Sequence, residues 1–274
     1  MLIMKTTVSV TDKHRDRVIH KVFFERYAKG ANEIIFCMDD IRNAIQVVAT
    51  EDPKYQERNV ADLRYQFTSG RRALPKAIDA LGPWMIEGRG KARYAFVRVK
   101  EHPHINVSPD LHAILIPDAT PEIVLEYAGA DEQGLLAKLR YNRMLDIFLG
   151  LTCYHLQNHW RTSIKNKGQC EIDDLYVGLD VEGRQYVVPI EAKGKRDHIS
   201  KTQIVQLANF THERYPRLIS RPVGVQEMKN GDIVLMEFTT GTKPDLVRIK
   251  RTHQYRLAAM SECLADLENN QDNK

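Results

Sequence analysis

Apolar positions recur with a helical period near the start of the chain. Val18, Ile19, Val22 and Phe23 form one stripe behind Thr11 or Asp12 as a cap. They predict a helix to about Ala28, closed by Lys29-Gly30-Ala31-Asn32. Asp39 or Asp40 caps a second helix carrying Ile41, Ile45 and Val48, stopped by Asp52-Pro53. Asn59 caps a third with Val60, Leu63 and Phe67, broken by Thr68-Ser69-Gly70, and a short helix spans Leu74 to Leu81. The period then shortens. Trp84–Ile86 and Tyr94–Val99 read as strands around a Gly88-Arg89-Gly90-Lys91 turn. The segment from His102 to Pro109 reads as a linker. Beyond it the pattern predicts strands at Leu111–Ile116 and Ile123–Tyr127. A long helix capped by Asp131 runs from Glu132 to about Arg161 with a kink at Gly150, and a polar loop covers Thr162 to Gly168. After a hairpin over Cys170–Gly194, a helix covers Ser200 to about Tyr215. A second hairpin pairs Val223–Met228 with Ile233–Phe238 through Asn230-Gly231, a type I′ signal. A last helix covers Thr242 to about Asp266.

The Cys170–Gly194 hairpin carries the candidate chemistry. Residues two apart on a strand share a face, so Glu191 and Lys193 point the same way at the end of an apolar run, Tyr186 to Ile190. The turn decides which acid joins them. Glu182-Gly183 fits a type I′ turn poorly, because both positions need positive φ. A three-residue loop, Val181-Glu182-Gly183, puts Gly183 at the left-handed position of a bulge. Asp180 then pairs with Arg184, and Asp173 falls opposite Glu191, with Glu171 opposite Lys193. A two-residue loop would bring Asp174 to that face instead. Two carboxylates suit Mg²⁺ or Mn²⁺, and a neighbouring ammonium can stabilise charge developing on a phosphodiester. A solvated cross-strand salt bridge would use the same residues, but would not need the apolar lead-in. Pro189 within this strand cannot donate to a ladder, so a bulge or an unpartnered position is expected there.

An acid followed by Glu-Ala-Lys on a β-hairpin, then a glutamine-bearing helix, resembles the PD-(D/E)xK nuclease superfamily. The wording EIDDLYVG…GRQYVVPIEAKGKRD is similar to its type II restriction endonucleases. The match covers about Glu132 to Phe210, and Ile172 stands where the family has proline before the first acid. The resemblance implies Asp173 and Glu191, with Asp174 as the alternative, as ligands of Mg²⁺ (or Mn²⁺), and Lys193 as the catalytic lysine. It also implies Gln203 as a catalytic-helix residue and Glu132 as a further metal-site acid. The fold it implies is an α/β restriction-endonuclease-like core, a central mixed sheet flanked by helices. Glu132 equally suits the first turn of a helix by its dipole. Gln203 and Gln206 have amides that can meet phosphate, base edge or water. His155 and His159 stand four apart without the glutamate of H-E-x-x-H, which predicts a helix surface rather than a zinc site.

Charge refines the N-terminal reading. Basic residues crowd Arg64–Lys100, among them Arg64, Arg71, Arg72, Arg89 and Lys91, against Asp79 and Glu87. Helices followed by a basic, glycine-tipped hairpin predict a winged-helix-like DNA-binding domain over residues 1–103, with a nuclease domain over 104–274. Lys193, Lys195 and Arg196 form a basic run suited to phosphates. Net charge is only +4, so affinity for nucleic acid must be local. The cysteines, Cys37, Cys153, Cys170 and Cys263, are scattered, and the start lacks a signal-peptide pattern. These features predict free thiols and a cytoplasmic protein with no membrane segment. The expected function is Mg²⁺-dependent hydrolysis of double-stranded DNA by a sequence-specific type II restriction endonuclease, with a homodimer and a cognate DNA methyltransferase as partners. A structure-specific repair or junction nuclease, or a non-catalytic DNA-binding regulator, are the alternatives.

Overall fold

A computed structural model describes residues 10–70, 72–90, 92–108, 110–129, 131–165, 168–195 and 197–271. The chain parts into two compact units at Pro103–His104, with the short segment 165–168 grouped with the first.

The first unit runs α1 (Val10–Phe24), β1 (Glu33–Cys37), α2 (Met38–Glu51), α3 (Val60–Thr68), α4 (Lys76–Asp79), β2 (Trp84–Gly88) and β3 (Arg93–Arg98). Its three strands form an antiparallel sheet in the order β1-β3-β2. The helical stripe Val18, Ile19, Val22 and Phe23 packs with Trp84 and Phe96 in one core. The sequence reading assigned no element to Glu33–Cys37, which is a strand: Ile34 and Phe36 face the core while Ile35 stands exposed, an alternation too brief to register between two helices. One sequence expectation is corrected here. Cys37, not Asp39 or Asp40, caps α2, and Asp40 closes the capping box as its third residue by accepting from the Cys37 N–H at 2.7 Å.

The second unit runs β4 (Ala113–Pro117), α5 (Glu122–Tyr127), α6 (Glu132–Tyr141), α7 (Met144–Leu149), β5 (Thr152–Ile164), β6 (Gly168–Leu179) and β7 (Gln185–Lys193). It continues with α8 (Lys201–Arg214), β8 (Ile219–Ser220), β9 (Val223–Glu227), β10 (Ile233–Phe238), β11 (Ile249–Ala258) and α9 (Met260–Gln271). The architecture is α/β. An eight-stranded sheet in the order β4-β11-β10-β9-β7-β6-β5, with β8 beside β7, is flanked by helices. It is mixed: β7 runs parallel to β8 and β9, and β11 to β4, while the hairpin pairs are antiparallel. Alternation along the central strands separates two cores. Val188, Ile190 and Leu235 pack with α6 and α7, and Val187, Val234 and Met236 pack with α8.

Several expectations fail for identifiable reasons. Residues 123–127 form a helix behind Pro121, with Ile123 and Tyr127 exposed, rather than a strand. The single long helix from Glu132 is broken twice. Arg143 takes a left-handed φ of 48°, and Gly150, at φ 65°, ends α7. The β-branched and aromatic content after Thr152 then makes an edge strand that takes in the first residues, 162–164, of the expected 162–168 loop. His155 and His159 therefore lie on β5, not on a helix. The expected helix over 242–266 is a 3₁₀ turn, Pro244–Leu246, then β11, then α9, because Tyr255 and its alternate neighbours fit the pleat beside β10. The Asn230-Gly231 turn is not type I′. Only Gly231 has positive φ, and Met228 N–H bonds Asp232 O at 2.8 Å across a three-residue loop.

Candidate active site at the end of β7

The β6–β7 turn sets the register. Gly183 adopts φ 77° and Asp180 N–H bonds Arg184 O at 3.3 Å, the three-residue loop expected from the sequence. The ladder runs Leu179↔Gln185 through Asp174↔Ile190, so the next step places Asp173 opposite Glu191. Pro189 falls where the other side of β7 passes from β8, paired at 186–187, to β9, paired at 190–193, so its missing N–H lies at a break in that ladder.

Four elements bring charged and polar groups to the end of β7. Asp173, Glu191 and Lys193 are buried, at 2%, 3% and 3% exposure. Asp173 Oδ2 accepts the Ala192 N–H at 2.9 Å, so the carboxylate stands where a backbone carbonyl would continue the ladder. Lys193 Nζ donates to Glu191 Oε1 at 2.6 Å, to Ala192 O at 2.9 Å and to Glu132 Oε1, from the first turn of α6, at 3.2 Å. Gln203, in the first turn of α8, uses both ends of its amide. Its Oε1 accepts the Ser200 N–H at 3.0 Å, and its Nε2 donates to Glu191 Oε1. From the other side, Gln226 Nε2 donates to Gly194 O at 2.8 Å and secures the end of β7.

Burial by itself would lower the Lys193 pKa. Glu191, then Asp173 and Glu132, outweigh it and hold the pKa above the ordinary lysine value. The surrounding carboxylates therefore hold Lys193 as a cation. The Cys170 thiol beside this cluster is pushed up to about 12, by burial first and then by Glu191, Glu171 and Asp173, which leaves it a poor nucleophile.

Of the sequence-predicted site residues, Asp173, Glu191, Lys193, Gln203 and Glu132 converge. Asp174 does not. It turns to the opposite face, fully buried, where it accepts from His155 Nε2 at 2.6 Å, Tyr176 OH at 3.0 Å and Arg140 at 3.1 Å. Lys195 lies 3.6 Å from Glu227. In the first unit, Arg64 lies over the Tyr94 ring, Arg72 pairs with Asp16 at 2.9 Å, and Arg89 pairs with Glu33 and Glu87. Asp16 and Glu33 lie outside the basic window and reach it only through the fold. Arg71 and Lys91 lie outside the described residues, as does Arg196. Sequence reading missed Ser200, Gln226 and the Arg140–His155–Tyr176 set. The S-x-x-Q spacing of Ser200 and Gln203 was a legible capping box, whereas nothing local marked the others.

The donor set facing Lys193 is all oxygen: the Asp173 and Glu191 carboxylates and the Ala192 carbonyl. Such ligands fit a hard divalent cation, which commonly takes one or two carboxylates and keeps waters for its remaining positions. Among the described residues no group of three or more His, Cys, Asp or Glu side chains is assembled as a metal site, so a cation here would rest on this smaller set. No helix among them is long and apolar enough to cross a membrane. No family model, curated protein or solved structure matches the chain.

Proposed function

We propose that this chain is a Mg²⁺-dependent endodeoxyribonuclease of the PD-(D/E)xK kind, acting as a sequence-specific type II restriction endonuclease. One observation carries the reading: two buried carboxylates and a buried, permanently charged lysine share one end of a sheet. Buried charges are costly and are seldom kept for stability alone. Asp173 and Glu191 would hold Mg²⁺ or Mn²⁺, which when bound polarises the scissile phosphate and lowers the pKa of the attacking water. The water oxygen bonds phosphorus as the bond to the leaving sugar oxygen breaks. Lys193 presents a cation to the charge that develops. Gln203 fixes the Glu191 carboxylate through the α8 cap, and the Ala192 N–H fixes Asp173. In the first unit, the order of helices with a β1-β3-β2 sheet supports a winged-helix-like DNA-binding role. Cutting both strands calls for a homodimer or two successive nicks.

One observation favours the second reading, a structure-specific nuclease. Arg72 and Arg89, expected to meet the groove and backbone, are already paired with acids. Incubating the purified chain and Lys193→Ala with varied plasmid, phage and branched DNA, in Mg²⁺ or EDTA, separates the readings. Discrete fragments needing both Mg²⁺ and Lys193 support the restriction enzyme. Cleavage confined to branched DNA supports the second reading. No cleavage of any DNA overturns both.

A further inference from the structure

The most deeply buried carboxylate of the second unit lies beside the candidate site but is not part of it. Asp174 is 0% exposed, one residue from Asp173 and on the other face of β6. Its pairing with arginine departs from the habit of this chain. The covered side chain of half-buried Glu57 takes both Nε and a terminal nitrogen of Arg15, at 2.8 Å each. Buried Glu237 takes Arg221 through two bonds of 2.9 and 2.7 Å, and buried Asp232 takes Arg256 at 2.8 and 2.9 Å. In each, the guanidinium fork is spent on the carboxylate, as expected of a pair that serves only the fold. Asp174 instead receives one nitrogen of Arg140 at 3.1 Å, and His155 and Tyr176 supply its other bonds.

Arg140 is thus anchored at one corner while its side chain stays 39% exposed. The anchor is firm. The Tyr176 hydroxyl stays protonated because burial, and then Asp174, raise its pKa, so it remains a donor to the carboxylate. His155 packs edge-on to the Tyr176 ring at 5.2 Å and closes the other side. A guanidinium held this way presents a planar fork to a two-oxygen anion, and phosphate is the anion it matches. Its place on α6 is two turns from Glu132, about 12 Å along the axis, while its carboxylate anchor adjoins Asp173.

We propose that Arg140 binds a backbone phosphate of the DNA strand next to the phosphate held at Asp173 and Glu191, with Asp174, His155 and Tyr176 as its positioning residues. The proposal rests on the nuclease reading of the neighbouring carboxylates. It differs from that reading in its test, because it is measured by binding without metal or cleavage.

The experiment is a fluorescence-anisotropy titration of a short DNA duplex with the full chain, in EDTA, across a range of salt. Arg140→Gln alone would strand a buried carboxylate, so the informative comparison is Asp174→Asn against Arg140→Gln/Asp174→Asn, two chains with the same neutralised interior. Asp174→Asn keeps the Arg140 charge but not its carboxylate anchor, so it serves as the reference for the double variant and not as a stand-in for the wild type. The double variant is expected to bind about tenfold more weakly, with the slope of log K against log salt reduced by about one. Equal slopes for the two variants would overturn the phosphate contact and leave the nuclease reading standing on the Lys193 result. A reduced slope in a chain that cleaves no DNA would keep the contact and remove the nuclease. A wild-type chain with no affinity for duplex DNA would overturn both.

Discussion

Lys193 shows how a residue's function and its cost come from the same contacts. It is buried against Glu191 and reaches Glu132 from a different element. Removing it takes the cation away from a buried carboxylate. Lys193→Met is therefore expected to lose at least about 100-fold in cleavage and about 3 kcal/mol of stability, read by single-turnover assays and urea unfolding. The pH dependence has a definite sign. The folded pKa lies above the unfolded value, so, while its carboxylate partners are ionised, the lysine contributes fully below about pH 10.4 and its contribution is lost as pH rises through the folded value. The stability gap between wild type and Lys193→Met should stay flat from about pH 7 to about pH 9.5; a gap that shrinks within that range would mean that Lys193 is not held as described. Gln203 joins the α8 cap to Glu191. Gln203→Ala should cost about 1 kcal/mol and lower kcat more than it raises KM, because it acts through Glu191 rather than on bound DNA.

At the scale of elements, the β6–β7 and β9–β10 hairpins close through three-residue loops with a left-handed glycine, Gly183 and Gly231. The β6–β7 turn is the one that assigns faces. A slip of one residue would exchange Asp173 for Asp174 and send every core side chain of β6 to the wrong side. Nothing lies within 4 Å of a Cβ built at Gly183. Gly183→Ala should therefore cost about 1 kcal/mol through backbone strain alone, lowering Tm by a few degrees with cleavage unchanged. Gly224 on β9 is the opposite case. Its backbone is relaxed, but a Cβ would meet Ile199 Cδ1 at 2.5 Å and Phe238 Cε2 at 2.9 Å. Gly224→Ala should destabilise by about 1–3 kcal/mol from overpacking and, through the Glu191↔Gly224 pairing, disturb the site as well. The comparison of thermal melts with cleavage rates separates the two glycines.

At the scale of the molecule, each unit encloses its own core, one around Phe23, Trp84 and Phe96 and the others on the two faces of the large sheet. Phe96→Ala is expected to remove about 3–5 kcal/mol from the first unit alone. Calorimetry of the full chain should show one transition lowered and the other in place, with Mg²⁺-dependent cleavage of DNA at high protein concentration retained.

The sequence by itself determined the β6–β7 hairpin and favoured its three-residue loop, and the fold chose that loop, with Asp173 beside Glu191 and Lys193, over the two-residue alternative that would have brought in Asp174. The hairpin and that preference are local matters, fixed by a glycine's need for positive φ and by the two-residue period of a strand. It also determined the capping of α3 by Asn59, which rests on a contact within one turn. It misread residues 152–161 and 249–258, which it took for helix. Those segments are strands because an adjacent strand offers a ladder and a core face, and that offer is invisible along the chain. Only the tertiary structure decided which cations are spent. Asp16 and Glu33 reach Arg72 and Arg89 across 56 positions of sequence. Asp174 is withdrawn from the face of Asp173 by Arg140, His155 and Tyr176, on α6, β5 and β6. Charge pairing depends on distance in space and on burial, and neither is set by local periodicity.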